Sequence, residues 1–279
     1  MDFVIDVIEH SVLATHESNQ QEDICMDSIA EKYDLDFKQK RAFQIMSCSF
    51  LLSSLEANNI SAKALEKYLL QQHKSRIQSL TALESKFLEK GGTNEQLLMI
   101  LLGIGGTGKS TVINSFLEFA RNVSRCFEWS YDCNTVKVSA SSGSAASLLP
   151  LGNTIHAHAF LNTSNKNITT ANKKEWEHTK MLIVDEVSMM SSNMLKNLDR
   201  KLKLLTGNNQ LFGNVSVILA GDFHQLLPIR CGKPLFNSKG CVQLDAFRRV
   251  IFLHKSHRFR NDKKFGMLLR RFCYDRATK

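Results

Sequence analysis

Three stretches of this chain set glycine, lysine, hydroxyl and acidic side chains at spacings that could handle a phosphate. The first is Gly103-Ile104-Gly105-Gly106-Thr107-Gly108-Lys109-Ser110-Thr111, directly after the apolar run Leu97 to Leu102. It fits G-x-x-x-x-G-K-[ST] and lies between an expected buried strand and an expected helix from Lys109 to about Ala120. Glycines let such a loop turn its N–H groups inward, and the helix N-terminus adds its dipole, so the stretch reads as an anion cradle. Lys109 would reach the β- and γ-phosphates of a nucleotide, and the Ser110 hydroxyl would ligate Mg2+. The competing reading is a plain glycine turn.

The second stretch supplies acids. Met181-Leu-Ile-Val-Asp185-Glu186 reads as a buried strand ending in paired carboxylates, which at the carboxyl end of a parallel strand would project into the same crevice as the glycine loop. Asp185 would hold Mg2+, and Glu186 would orient or deprotonate an attacking water, as in-line phosphoryl transfer requires. The third stretch, residues 217 to 230, is a further apolar run that ends in Gly221-Asp222 and then offers Gln225. A neutral amide there can sense the γ-phosphate or the water without competing for the metal.

These side chains need a scaffold, and the scaffold is legible as alternation. Strands are expected at Leu97 to Leu102, Thr135 to Ser139, Met181 to Asp185 and Val215 to Ala220, most of them apolar throughout. Continuous apolar strands separated by helical segments indicate an α/β fold with a parallel sheet covered by helices on both faces. Residues 37 to 90 are rich in Leu, Ala, Glu, Lys and Gln and read as a helical segment stopped by Gly91-Gly92. Residues 161 to 180 are polar and read as a surface connection.

Composition narrows the class. The chain has 279 residues, 43% of them hydrophobic, enough for a sizeable core. No apolar run reaches the roughly 18 residues that span a bilayer, and the start resembles no signal peptide, so an intracellular protein, nuclear or cytoplasmic, is expected. Seven cysteines with no C-x-x-C pair fit a reduced compartment better than a disulfide framework or a zinc site. The net charge of +9 hides an asymmetry. Residues 1 to 36 carry ten Asp or Glu against Lys32, whereas residues 248 to 279 carry eleven Lys or Arg against Asp262 and Asp275. The basic body would attract a polyanion, and the acidic head could mask that surface or form a tail.

Taken in order, GIGGTGKST, VDEVSMM and GDFHQLLP resemble motifs I, II and III of superfamily-one DNA helicases of the Pif-one and RecD group, including the helicase part of Helitron transposons. The resemblance implies a P-loop ATPase core of the RecA type that uses ATP and Mg2+ to move 5′-to-3′ on single-stranded DNA. It also implies roles for residues that spacing alone does not reveal. Leu35-Asp36-Phe37-Lys38-Gln39 resembles the Q motif, with Asp36 in place of Asn, so Gln39 would bond adenine. Ser139-Ala140-Ser141-Ser142-Gly143, followed by Thr154-Ile155-His156, is similar to motif Ia, with Ser141-Ser142 replacing Pro-Thr. Ser141, Ser142, Gly143 and His156 would then contact DNA. Residues 253 to 260 resemble motif IV, whose arginine reaches the γ-phosphate; Arg258 aligns best and Arg260 competes.

The domain organisation that follows is an acidic segment (1–36), a helical segment with the Q-motif-like start (37–92), a RecA-like lobe (93–250) and the start of a truncated second lobe (251–279). Motors of this kind need two lobes, and nothing here resembles motifs V and VI. A second chain supplying the missing lobe is therefore one expected partner. The alternative to a helicase is an ATP-regulated DNA- or partner-binding protein without unwinding activity.

Overall fold

A computed structural model describes residues 26–58, 96–150, 152–223, 225, 234–235, 241–255 and 264. Its centre is a six-stranded sheet in the order β3-β2-β4-β5-β1-β6, with every pairing parallel. The strands are β1 (Leu98–Gly103), β2 (Val136–Ala140), β3 (Asn153–Thr154), β4 (Met181–Asp185), β5 (Ser216–Gly221) and β6 (Arg249–Leu253). Four lie within a residue of the spans expected from the sequence, because buried parallel strands are apolar on both faces and so read as unbroken runs. β3 and β6 were not legible in that way. β3 is two residues long, and β6 sits at the sheet edge with Val250 and Phe252 exposed. β6 pairs with β1 from Met99↔Arg249 to Gly103↔Leu253, so a lobe boundary at residue 250 falls inside a strand of this sheet.

Alternate residues of the central strands feed two cores. Met99, Leu101, Ile183, Ile218 and Ala220 face α1 (Met26–Lys32), α2 (Phe37–Ala57) and α3 (Lys109–Cys126). Ile100, Leu102, Leu182, Val184, Val217 and Leu219 face the opposite layer, where α7 (Ser192–Thr206) contributes Leu195, Leu198, Leu202 and Leu205. The expected α/β fold with helices on both faces is what forms. Short helices complete the fold: α4 (Gly143–Ala146), α5 (Ile155–His158), α6 (Thr170–Glu177) and, before β6, α8 (Val242–Asp245).

The N-terminal helices belong to the sheet's own core. Phe43 of α2 meets Phe119 of α3 edge-on at 5.9 Å, and Phe50 meets Phe116 at 6.0 Å. Met26, Ile29 and Ala30 of α1 are buried beside them, and Lys32 and Tyr33 both bond the Glu118 carboxylate of α3. Residues 26 to 36 of the acidic head are therefore built into the fold, while residues 1 to 25 lie outside the described residues. Of the helical segment expected over residues 37–90, the structure describes α2, which ends at Ala57 with Asn58 as its C-cap; residues 59–90 and the Gly91-Gly92 stop lie outside the described residues.

Residues 161 to 180 require a correction. They contain α6, whose Trp176 is 1% exposed and donates its indole N–H to the His158 carbonyl at 3.1 Å. One aromatic among polar residues gives no periodic signal, so the helix that plugs this side of the core reads as a loop. No helix among the described residues is long and apolar enough to cross a membrane.

Candidate nucleotide site

β1 delivers the chain to Gly103, and α3 receives it at Lys109. The loop between them closes tightly: the Thr107 hydroxyl and its own N–H both bond the Ile104 carbonyl, at 2.8 and 3.2 Å. A Cβ on Gly103 would stand 2.3 Å from Thr107 Oγ1, so only glycine permits that turn. Gly106 and Gly108 have φ of 84° and 81°, left-handed values that L side chains rarely adopt. Gly105, Gly106 and Thr111 are half-buried and Ser110 is exposed at the start of α3. Lys109 is 9% exposed and folds back over the loop, its Nζ donating to the Gly103 carbonyl at 2.6 Å. The ammonium is thus held at the centre of the cradle.

Sheet order decides what faces that lysine. β5 lies between β1 and β4, so the ends of β1, β5 and β4 bring the glycine loop, Asp222 and Asp185-Glu186 to one edge. Asp185 is 8% exposed; burial pushes its carboxyl up, against the Glu186 N–H and the Lys109 charge, which pull it down. Burial likewise raises Glu186, helped by Asp185 and Asp222 and opposed by Lys109. The lysine charge acts on both carboxylates, as a shared site demands.

Glu186 stands in the left-handed region (φ 54°, ψ 45°), costly for a residue with a Cβ. The Asp185 side chain stabilises it by accepting the Glu186 N–H at Oδ1, 2.8 Å away. Gly221 supports the other side, where a Cβ would lie 2.8 Å from the Val187 nitrogen.

The remaining expected site residues are placed unevenly. Gln225 is exposed in the turn after β5, its N–H donating to the Asp222 carbonyl at 3.0 Å. Arg258 and Arg260 lie outside the described residues. Gln39 is 2% exposed and packs against the glycine loop. Its Nε2 donates to the Thr107 carbonyl at 3.0 Å, and its Oε1 accepts the Asp36 N–H at 2.8 Å. Asp36 in turn caps α2 through a capping box with Gln39, which accounts for an aspartate at that position.

The segments that resemble motif Ia come together across β2 and β3. Ala140 pairs with Thr154, so Ser141 to Gly143 and Thr154 to His156 leave adjacent strands side by side. Ser142 Oγ accepts the Ala145 N–H and Thr154 Oγ1 the Ala157 N–H, each at 3.2 Å, capping α4 and α5. Gly143 is exposed with open space around it, and His156 is half-buried. Sequence reading passed over His158, whose Nδ1 lies 2.7 Å from the Ser139 hydroxyl of β2. That bond joins α5 to β2, and no spacing rule in the sequence signals it.

With this geometry in place, the relatives are informative. A family model described as PIF1-like helicase matches residues 81–264. ATP-dependent DNA helicase RRM3 of Saccharomyces cerevisiae is 30% identical over 179 residues, covering 60% of this chain and 24% of that protein. ATP-dependent DNA helicase PIF1 of the same species is 32% identical over 183 residues, covering 61% of this chain and 20% of that protein. Among solved structures, Pif1 helicase from Candida albicans aligns with a TM-score of 0.54 at 27% identity, covering 67% of this chain and 42% of that one. A Bacteroides Pif1 in complex with ADP-AlF3 and ssDNA shares the fold, with a TM-score of 0.51 at 22% identity over 70% of this chain and 46% of that one. The chain thus spans a quarter or less of the yeast relatives and less than half of the solved chains. The family match over residues 81–264, which include the glycine loop and the paired carboxylates, shows that this chain belongs to the PIF1-like helicase family.

Proposed function

We propose that this chain is the nucleotide-binding lobe of an ATP-dependent DNA helicase, in which ATP hydrolysis drives 5′-to-3′ movement on single-stranded DNA. The observation that carries this reading is the convergence of Lys109 with Asp185 and Glu186 at one edge of the sheet. The loop N–H groups and the α3 N-terminus receive the phosphates, and Lys109 exchanges the Gly103 carbonyl for phosphate oxygens. The Ser110 hydroxyl and the Asp185 carboxylate are hard oxygen donors of the kind Mg2+ takes. Bound there, Mg2+ would neutralise charge developing on the phosphates.

Glu186 orients the attacking water and draws off its proton, a task suited to a carboxyl whose pKa is raised by burial. Gln225 would report the γ-phosphate state from the β5 turn, and Arg258, supplied across a lobe interface, would stabilise transferred charge. Gln39 braces the loop through the Thr107 carbonyl and would read adenine from the same segment. Ser142, Gly143 and His156, beside Ser141, would follow the DNA backbone, a sequence-independent contact that suits the small hydroxyl groups and the open glycine. A facing lobe, on the same or another polypeptide, converts closure over ATP into movement.

ATP turnover with and without an oligothymidylate, for the wild type and Lys109→Ala, tests the reading. The expected result is hydrolysis stimulated by DNA in the wild type and reduced at least about a hundredfold in the variant. Normal turnover by Lys109→Ala removes the site assignment.

A further inference from the structure

The N–H of Ser141 donates to the Asp185 carbonyl at 3.3 Å. The register Ala140↔Asp185 shows what this bond is: the β2·β4 ladder continues one residue past the last paired position, out of the strand and into the segment that would follow DNA. The same peptide unit is held at its other end, because the Glu186 N–H donates to Asp185 Oδ1 at 2.8 Å. Both polar groups of the Asp185–Glu186 peptide are therefore fixed, one by Ser141 and one by the Asp185 side chain. The orientation of that peptide sets the left-handed backbone of Glu186. A residue with a Cβ keeps such a conformation only when its surroundings over-determine it.

Each of the two segments joined by this bond also carries a buried hydroxyl. The Ser141 hydroxyl and the Ser188 hydroxyl, in the turn of residues 187–189 that follows Glu186, are buried without a hydrogen-bond partner among the described residues. Buried hydroxyls rarely stay unpaired.

We propose that Ser141 is a positioning residue that transmits DNA occupancy to the catalytic carboxylates. Its N–H clamps the Asp185–Glu186 peptide, and strand binding at the neighbouring Ser142 and Gly143 moves that clamp and re-aims Glu186. The proposal rests on the helicase reading for the roles of DNA and Glu186. It adds a physical route between the two sites, a shared hydrogen bond acting on a backbone held in a strained state.

Two substitutions separate the clamp from an ordinary contact: Ser141→Pro deletes the N–H, and Ser141→Ala keeps it while deleting the hydroxyl. ATP hydrolysis by the full chain is titrated with oligothymidylate. The expected result for Ser141→Pro is a maximal stimulation lowered by about fivefold or more, with the half-stimulating DNA concentration little changed. Ser141→Ala retains the N–H, so its stimulation at saturating DNA should exceed that of Ser141→Pro; equal maxima in the two variants overturn the clamp. Recovery of full stimulation by Ser141→Pro at saturating DNA makes Ser141 a simple backbone contact and overturns the proposal.

Amide hydrogen exchange of residues 185–189 in nucleotide-free protein gives an answer that does not depend on turnover. Oligothymidylate should change that exchange in the wild type, and the change should be absent in Ser141→Pro. No change in the wild type overturns the clamp whether or not the proline variant folds. A wild type that hydrolyses no ATP overturns the helicase reading, while the exchange measurement still decides the clamp.

Discussion

Glu186 combines a left-handed backbone with a carboxyl raised by burial, by Asp185 and by Asp222, and partly offset by Lys109. The sign of the resulting pH dependence is definite. In the proposed mechanism hydrolysis uses the ionised carboxylate, so its acid limb should lie above the ordinary glutamate range, with activity gained as pH rises through it. Asp222→Asn removes one of the like charges and should move that limb to lower pH; an unchanged limb in a pH–rate profile excludes Asp222 as a determinant. Gly108 makes a second residue-scale prediction. Its φ of 81° and the 2.2 Å that a Cβ would leave to Gln39 Nε2 mean that Gly108→Ala strains the backbone and displaces the glutamine. A loss of about 1–3 kcal/mol is expected, read as a lower unfolding midpoint together with weaker ATP binding. Lys109 was legible from its place in the glycine pattern, and Asp185 and Glu186 because they end an apolar run. The posture of Glu186 was not, since nothing in Asp-Glu-Val-Ser-Met announces a positive φ on a glutamate.

At the scale of elements, helix caps and cross-links fix the site. Gln39 ties the first turn of α2 to the Thr107 carbonyl, so Gln39→Ala leaves that carbonyl and the Asp36 N–H short of a partner in a buried place. A destabilisation of about 1–3 kcal/mol is expected, with a raised KM for ATP. A variant with unchanged stability and KM contradicts the bracing role. α5 depends on His158, which burial and the nearby Lys137 ammonium hold down to about 4 from an ordinary 6.5. The unfolded chain takes up this proton near pH 6.5 and the folded protein only near 4. Stability from this group is therefore complete above 6.5, declines as pH falls through that window and levels off below about 4. His158→Gln should lose less of its thermal midpoint between about pH 7 and pH 5 than the wild type; parallel losses would remove His158 as a contributor. The buried strands were legible because both faces are apolar, whereas α6 and the His158–Ser139 bond were not. They depend on one tryptophan and one histidine meeting residues far along the chain, which no local period encodes.

The described residues form one sheet between two helical layers, and residues 26–36 of the acidic head and Arg249–Leu253 of the basic stretch take part in it. Lys32 and Tyr33 of the acidic head are bonded to Glu118 of α3, so residues 26 to 36 act as a wall of the core and not as a free mask. The full chain has a net charge of +9 and should bind single-stranded DNA mainly through phosphate contacts. Affinity for oligothymidylate should accordingly fall linearly with salt on logarithmic axes, by about 0.7 per phosphate neutralised, and binding independent of salt would exclude this mode.

The central claim is that a nucleotide, held by the glycine loop, meets a water-activating carboxylate at the edge of this sheet. Glu186→Gln tests it most directly, with ATP affinity and DNA-stimulated turnover measured on the same preparation. The account predicts ATP affinity within about threefold of the wild type and turnover lowered by about a hundredfold or more. Turnover near the wild-type rate in Glu186→Gln would contradict it.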